Sequence, residues 1–410
     1  MSADRIVALI TNAIRDGAAL SDQRITVPVQ SPFLDPERFP LLASGREALP
    51  QLVVALRSDP ALRLFDGGVL LTGSGGHALQ IEMLAEWLVG RALMTSPETA
   101  VASLRAFLEG RHPPPLLVVA ISGIRVSHSI ELPDGFRLIP FAEVPRSIVS
   151  DALRGALRPP PMIFPIPVAL PQAAAALVKE LAGSPSLAKE FPSPGADTGL
   201  GDAESAANRL VTLATLVGPS PAVAIASWVH VDPSIPLGTI GQGWGVFRHE
   251  ILPAAEIDIS NALPEFSRVA TQYLSLPQNV RDQLRQPLER LNLSLRRARP
   301  VDSAVELRIA MESLLANDLD ENAPISYTLR LRAAWLSGTS PQSRVQVMSQ
   351  VGEVYSLCSQ ATHTGAFGRT LAPRSSDILS YGQATLAALI SIVITRGSIP
   401  DWRHLVLGAA

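Results

Sequence analysis

Cysteine is nearly absent from this chain: Cys358 is the only one in 410 residues. A single thiol excludes an intrachain disulfide and any cysteine-rich zinc site, and it fits a reducing cytosol. Lysine is almost as scarce. Of 34 basic residues only Lys179 and Lys189 are lysines, a bias that reads as genome composition and carries no mechanism. Charged residues amount to 17% against 47% hydrophobic ones, the composition of folded structure rather than of a disordered chain. With 34 basic and 37 acidic residues the net charge is −3. The chain is therefore no polycation, and any contact with nucleic acid has to come from a local patch.

Long hydrophobic runs are also missing. The greasiest, "ATLAALISIVI" from Ala384 to Ile394, is too short to span a bilayer, and "PMIFPIPVALP" is broken by its prolines. The opening "MSADRIVALITNAIRDGAAL" is interrupted by Asp4, Arg5, Arg15 and Asp16, so it reads as an amphipathic helix and not as a signal peptide. A cytoplasmic protein without a membrane partner is the expectation. Nor do the histidines (His77, His112, His128, His230, His249, His363 and His404) pair at H-x-H or H-x-x-x-H spacing. No metal and no cofactor is expected.

What is there divides in two. The first half mixes strand and helix periods. "GGVLLTGSGGHALQIEMLAEWLVGRALM" reads as strand, glycine turn and helix, and "PPLLVVAISGIRVSHSIELPDGFRLIPF" as a hairpin turning at Pro133-Asp134-Gly135. Six prolines between Pro159 and Pro171, followed by "GSPSLAKEFPSPGADTGLGD", mark a boundary or long excursion. From about Asn261 onward helix follows helix. "VDSAVELRIAMESLLAND" offers Asp302-Ser303 as an N-cap, and "ISYTLRLRAAWLSG" closes at Gly338. "SPQSRVQVMSQVGEVYSLCSQATHTG" starts at Pro341 and stops at Gly365, while "PRSSDILSYGQATLAALISIVITRG" has Ser375, Ser376 and Asp377 as capping residues. Four helices on short loops suggest an up-and-down bundle. The expected division is 1–158 mixed α/β, 159–203 a Pro/Gly-rich linker or excursion, 204–270 an α+β segment packing on the N-terminal domain, and 271–410 the bundle.

Three features carry candidate chemistry. Gly73-Ser74-Gly75-Gly76 lies between strand and helix, where a loop can cradle a phosphate. It lacks the Walker ending, position 78 is Ala where G-x-G-x-x-G needs Gly, and Thr72 spoils a G-x-S-x-G elbow. A structural turn is the better reading. Arg281, Arg285, Arg290, Arg296, Arg297 and Arg299 stand against Asp282 and Glu289, a local excess that attracts phosphates or simply forms a solvated helix face. Lastly, "VYSLCSQATHTG" puts Ser359 and His363 on one helix face, whereas Cys358 and His363 diverge. A lone buried cysteine is commonly inert core, so a Cys358 nucleophile is not the preferred reading.

The ordered series "DSAVELRIAMESLL", "YTLRLRAAWLSG", "VYSLCSQATHTG" and "SIPDWRHLVLG" resembles the HEPN helical domains, in particular the Apea-like branch found in bacterial proteins associated with phage defence. Upstream, "IELPDGFRLIPF" and "LLTGSGGHALQIEMLAEWLVGRA" look like the N-terminal region often attached to that branch. The resemblance implies an α+β N-terminal region followed by an all-α HEPN-like bundle, dimeric through the bundle. It also implies metal-independent RNA cleavage, in which a histidine moves the ribose 2′-OH proton and an arginine holds the phosphate. In this chain the family's arginine falls on Cys358, while Ser359 and His363 remain. A thiol has neither the reach nor the permanent charge of a guanidinium. Cys358 is then expected to face a helix-end pocket, with Arg332, Arg369 and Arg374 as substitute phosphate contacts. Three readings follow: an RNA-directed HEPN protein with a degenerate site, an active ribonuclease using His363 and a substitute arginine, or a dimerising scaffold that never touches RNA. The N-terminal region is expected to meet a ligand or phage component whose nature the residues do not specify.

Overall fold

The computed structural model describes residues 3–18, 48–72, 75–155, 172–183, 185–191, 199–238, 246–248, 250–319 and 324–407. Four helices, α1 (Ala3–Ala18), α2 (Ala48–Arg57), α3 (Ile81–Met94) and α4 (Pro97–Leu108), pack together at the N-terminal end. Helix α4 starts as its sequence dictates. The Ser96 hydroxyl accepts from Thr99 N at 3.2 Å, and Pro97 occupies the first turn, where its missing N–H costs nothing.

Strands β1 (Val69–Leu71) and β2 (Gly76–Ala78) form a hairpin before α3. Gly73 and Ser74 lie outside the described residues. Because β2 separates the glycine loop from α3, that loop does not open a helix, and the phosphate-cradle reading loses its geometric basis.

The main sheet is assembled out of chain order. Its strands are β3 (Leu116–Ser122), β5 (Ile130–Glu131), β6 (Phe136–Pro140), β7 (Ala175–Glu180), β9 (Val223–His230) and β10 (Val246–Phe247). They lie in the order β10-β9-β3-β7-β6-β5, antiparallel throughout. A third strand, β8 (Ser186–Ala188), pairs with β1, and the short β4 (Ile124–Arg125) pairs in parallel with β11 (Ile257–Asp258). The hairpin expected at Pro133-Asp134-Gly135 is the β5–β6 connection. Asp134 and Gly135 both take positive φ there, 58° and 74°.

The segment expected to be a linker over 159–203 departs from that reading. Residues 156–171 are outside the described set, but Ala175–Glu180 forms β7, which sits between β3 and β6 with "AALVK" largely buried. The 204–270 stretch, expected to be an α+β segment packing on the N-terminal domain, supplies β9, the other neighbour of β3. Period-two alternation explains why β3 is apolar throughout. Leu117, Val119 and Ile121 join the larger core, on the side where α6 (Leu200–Leu213) packs, while Val118 and Ala120 join Ala176, Val178 and Trp228 under α5 (Ile148–Leu153).

The C-terminal region is helical: α7 (Leu263–Leu274), α8 (Gln278–Arg296), α9 (Pro300–Leu315), α10 (Ile325–Ser337), α11 (Pro341–Thr364), α12 (Ser375–Arg396) and α13 (Trp402–Leu407). Its ends follow the sequence in α11, where Ser340 and Ser343 form a reciprocal capping box and Gly365 stops the helix at φ 65°. They differ in α9, whose N-cap position is Arg299. Ser303 is carried inside that helix, buried, with its hydroxyl 2.7 Å from Ser294 O. Helix α12 is long and apolar enough to cross a membrane, yet Ile378, Leu379, Leu386, Leu389, Ile390, Val393 and Ile394 are packed in the core. Gly382 lets it approach: a Cβ there would stand 2.6 Å from Val354 Cγ1 and 2.9 Å from Leu307 Cδ2. Asn292 ties this region to the sheet, donating to Thr215 Oγ1 at 2.8 Å and Ala222 O at 2.7 Å.

His230, at the end of β9, is buried with Nδ1 unpartnered among the described residues. Burial, opposed only in part by Asp232, holds its imidazole below the ordinary value of 6.5. Its contribution to stability is therefore complete above about pH 6.5 and is lost as pH falls through the lower folded value. Urea unfolding between pH 8 and 5 should show the parent weakening below about 6.5 and His230→Phe weakening less. Identical pH dependence in the two proteins would contradict this account.

Candidate functional site

Helices α9 and α11 lie side by side and antiparallel, since Arg308 meets His363 near the end of α11 and Glu312 meets Tyr355 two turns earlier. The polar seam between them is a connected network. Arg308 Nε donates to Glu312 Oε1 at 2.7 Å, and the Tyr355 hydroxyl donates to the same oxygen at 2.8 Å. The Arg308 guanidinium also lies 5.5 Å from the centroid of the Tyr355 ring. Its free edge turns outward, where Nη1 stands 3.5 Å from His363 Nε2. A guanidinium only donates, so Nε2 is the acceptor nitrogen in this contact.

Exposure grades along the seam. The Arg308 side chain is 18% exposed, Glu312 31%, and His363 is open to solvent. Burial opposes the charge on Arg308, and the Glu312 carboxylate more than offsets it, holding the guanidinium above its usual range. Tyr355 is pushed up to about 12, first by burial and then by the carboxylate it donates to. Near neutral pH the phenol therefore stays protonated and keeps its proton for the bond to Glu312.

Cys358 does not face a helix-end pocket. It has no exposed surface and belongs to the core face of α11 with Val351, Val354, Leu357 and Ala361. Burial pushes its thiol up to about 12, with Arg308 pulling the other way and Glu312 adding to the rise. Ser359, one turn before His363, is half-buried on the same side of the helix.

The arginines proposed as substitutes lie elsewhere. Arg332 is buried on α10. It grips both carboxylate oxygens of Asp318 and donates to Leu315 O at 2.8 Å, with its guanidinium 5.1 Å from the Trp402 ring. That arrangement clasps the end of α9 to α13. Arg374 pairs with Glu353 at 2.8 Å, ten residues before His363 and so about 15 Å along α11. Arg369 is exposed in the turn after Gly365 and makes no ion pair among the described residues. The cation beside His363 is Arg308, which a reading of the third helix alone overlooks. Its signal is the charge pair Arg308 and Glu312, spaced i, i+4 inside "VELRIAMESLL".

Two clefts flank this region. One, of about 370 Å³, is lined by Asp282, Gln283, Gln286, Glu312, Ser313 and Asn317, and a larger one of about 910 Å³ reaches Arg332 and Trp402. Among the described residues no group of three or more His, Cys, Asp and Glu side chains is placed to hold a metal ion. No family model, curated protein or solved structure matches this chain.

Because burial keeps Cys358 protonated, the native protein should react with a thiol reagent at pH 8 far more slowly than a free cysteine, and should yield one fast thiol per chain after unfolding. Rapid labelling of the native form would contradict the core assignment of position 358.

Proposed function

We propose that the C-terminal helices form an RNA-directed module of the HEPN kind, with weak, metal-independent cleavage, in which Arg308 supplies the charge that position 358 does not. The observation that carries this reading is the guanidinium of Arg308 3.5 Å from an exposed His363. His363 takes the proton of a ribose 2′-OH, and the 2′ oxygen attacks the adjacent phosphorus. The bond to the 5′ oxygen breaks, leaving a 2′,3′-cyclic phosphate, and the proton passes to the departing oxygen. A phosphate entering between the two side chains meets the Nη edge of Arg308, which offsets the charge that builds on it.

Glu312 sets the rate in this reading. It occupies the Nε edge of the guanidinium, so the bidentate grip that makes arginine a strong phosphate ligand is half spent inside the protein. A dimer through the bundle and a defence role belong to the same proposal. They are supported only by the likeness of the helix series to that family.

The test is cleavage of a uridine-rich RNA in EDTA, with product ends identified. The parent should cut slowly and leave cyclic phosphate. His363→Ala and Arg308→Ala should each reduce the rate by about 10²–10³, and a 2′-deoxy substrate should be inert. Cys358→Arg should lower the melting temperature without restoring a faster rate, because it buries a guanidinium in an apolar core. Cleavage unaffected by loss of both His363 and Arg308, or no cleavage by the parent, would sink the catalytic reading.

A further inference from the structure

The arginine run that stands out in the sequence is sorted by the fold. Arg290 and Arg297 both pair with the buried Glu306, Arg296 pairs with Glu250 at 2.9 Å and donates to Ile251 O, and Arg299 lies 3.8 Å from Asp302. Four of the six guanidiniums are thereby committed. Arg281 and Arg285, one turn apart on α8, are left with no carboxylate within ion-pair distance among the described residues. Arg281 instead donates to Leu274 O and Gln278 Oε1, which fixes its stem, and its Nε is buried without a partner.

A third guanidinium joins them from far away in the chain. Arg209 projects from α6, which packs against both α7 and α8, and it too has no ion pair among the described residues. The packing of α6 on α7 and α8 brings Arg209 to the side of the pair Arg281 and Arg285, and all three guanidiniums, together with Asp282, act electrostatically on the buried Tyr273. Arg209 and Arg285 are exposed. The nearby carboxylate, Asp282, accepts from Gln278 Nε2 at 2.9 Å. Three cations of one sign on a chain of net charge −3 form the local patch that contact with a polyanion requires.

Position favours a strand of nucleic acid as the occupant. Asp282 and Gln286, the immediate chain neighbours of Arg281 and Arg285, line the cleft that also contains Glu312. The helix that carries Arg281 and Arg285, α8, packs directly on α9, one of the two helices of the seam. Arginine suits phosphate oxygens by its fork of donors, and three guanidiniums from two helices follow a backbone without reading bases. We propose that Arg209, Arg281 and Arg285 form a track for the phosphate backbone of single-stranded RNA, leading toward His363 and Arg308. This rests on the RNA-directed reading given above.

The experiment is fluorescence anisotropy of the full chain with a short fluorescein-labelled oligouridylate carrying 2′-fluoro sugars, between about 50 and 200 mM NaCl. Arg209→Ala/Arg285→Ala removes the two exposed members and leaves the partly buried Arg281 in place. It should weaken binding on the order of ten-fold at 100 mM salt and flatten the log–log salt slope by about 1.4, the loss of two single-strand phosphate contacts. Removing two exposed arginines elsewhere, Arg105→Ala/Arg137→Ala, should leave the slope as in the parent. Equal affinity and slope in the Arg209/Arg285 variant, or no RNA binding by the parent, overturns the track and leaves these arginines to a protein partner. The two proposals fail separately. Slow His363-dependent cleavage with no patch dependence would remove the track alone, and patch-dependent binding without cleavage would remove the catalytic site alone.

Discussion

A helix buried on most of its faces has to satisfy every polar side chain it carries, and α9 imposes that condition on the whole C-terminal region. It packs against α8, α10, α11 and α12, so a polar side chain on one of its buried faces cannot simply point to water. Ser303 is met by Ser294 and Gln383, and Glu306 by Arg290 and Arg297. Burial alone would raise the Glu306 carboxyl, and the two guanidiniums reverse that and hold it below the usual range. Glu312 is met by Tyr355 and Arg308. Each requirement fixes a neighbouring helix, and together they set the register of α8, α11 and α12 around α9.

The same accounting explains why a charge stands beside His363 at all. An interior arginine needs a carboxylate partner and an exit to solvent. Glu312 provides the first, and the exposed end of α11 beyond Ala361 provides the second. A thiol at position 358 places no competing cation within the seam. Charge is therefore delivered across a helix interface instead of along one helix, which changes its reach: a guanidinium anchored at Nε presents one edge outward in a fixed direction. That geometry favours orientation of a ligand over strength of grip.

How much of this was legible in the chain follows from the range of the interactions involved. The limits of α11 are local matters, set by Ser340, Ser343 and Gly365, and the β5–β6 turn is set by Asp134 and Gly135, so the sequence announces both. Strand β7 was hidden because "AALVKE" follows a proline-rich stretch and its identity comes from partners on each side, β3 and β6, that are distant in the chain. Ser303 looks like a cap in the sequence and is not one, for a related reason. Its hydroxyl is used by α8, and no window of α9 contains that information. The site was half visible. His363 and Ser359 share one helix and can be read together, whereas Arg308 is 55 residues away and becomes a neighbour only when two helices pack.

The strand order of the main sheet has a consequence for how the protein is made. Strand β3 is buried on both faces, and neither of its pairing partners, β7 and β9, is next to it in the chain. During synthesis it emerges with both edges bare, a run of "LLVVAIS" whose backbone groups have nothing to bond until two later segments arrive. The β5–β6 hairpin closes early but cannot dock, because the gap between it and β3 is reserved for β7. Loop closure must therefore precede most of the sheet's reward, which slows assembly and prolongs exposure of an aggregation-prone edge. Expression at lower temperature, or with holdase chaperones that cover apolar strands, addresses that interval directly, and truncation before β9 leaves β3 permanently unpaired on one side.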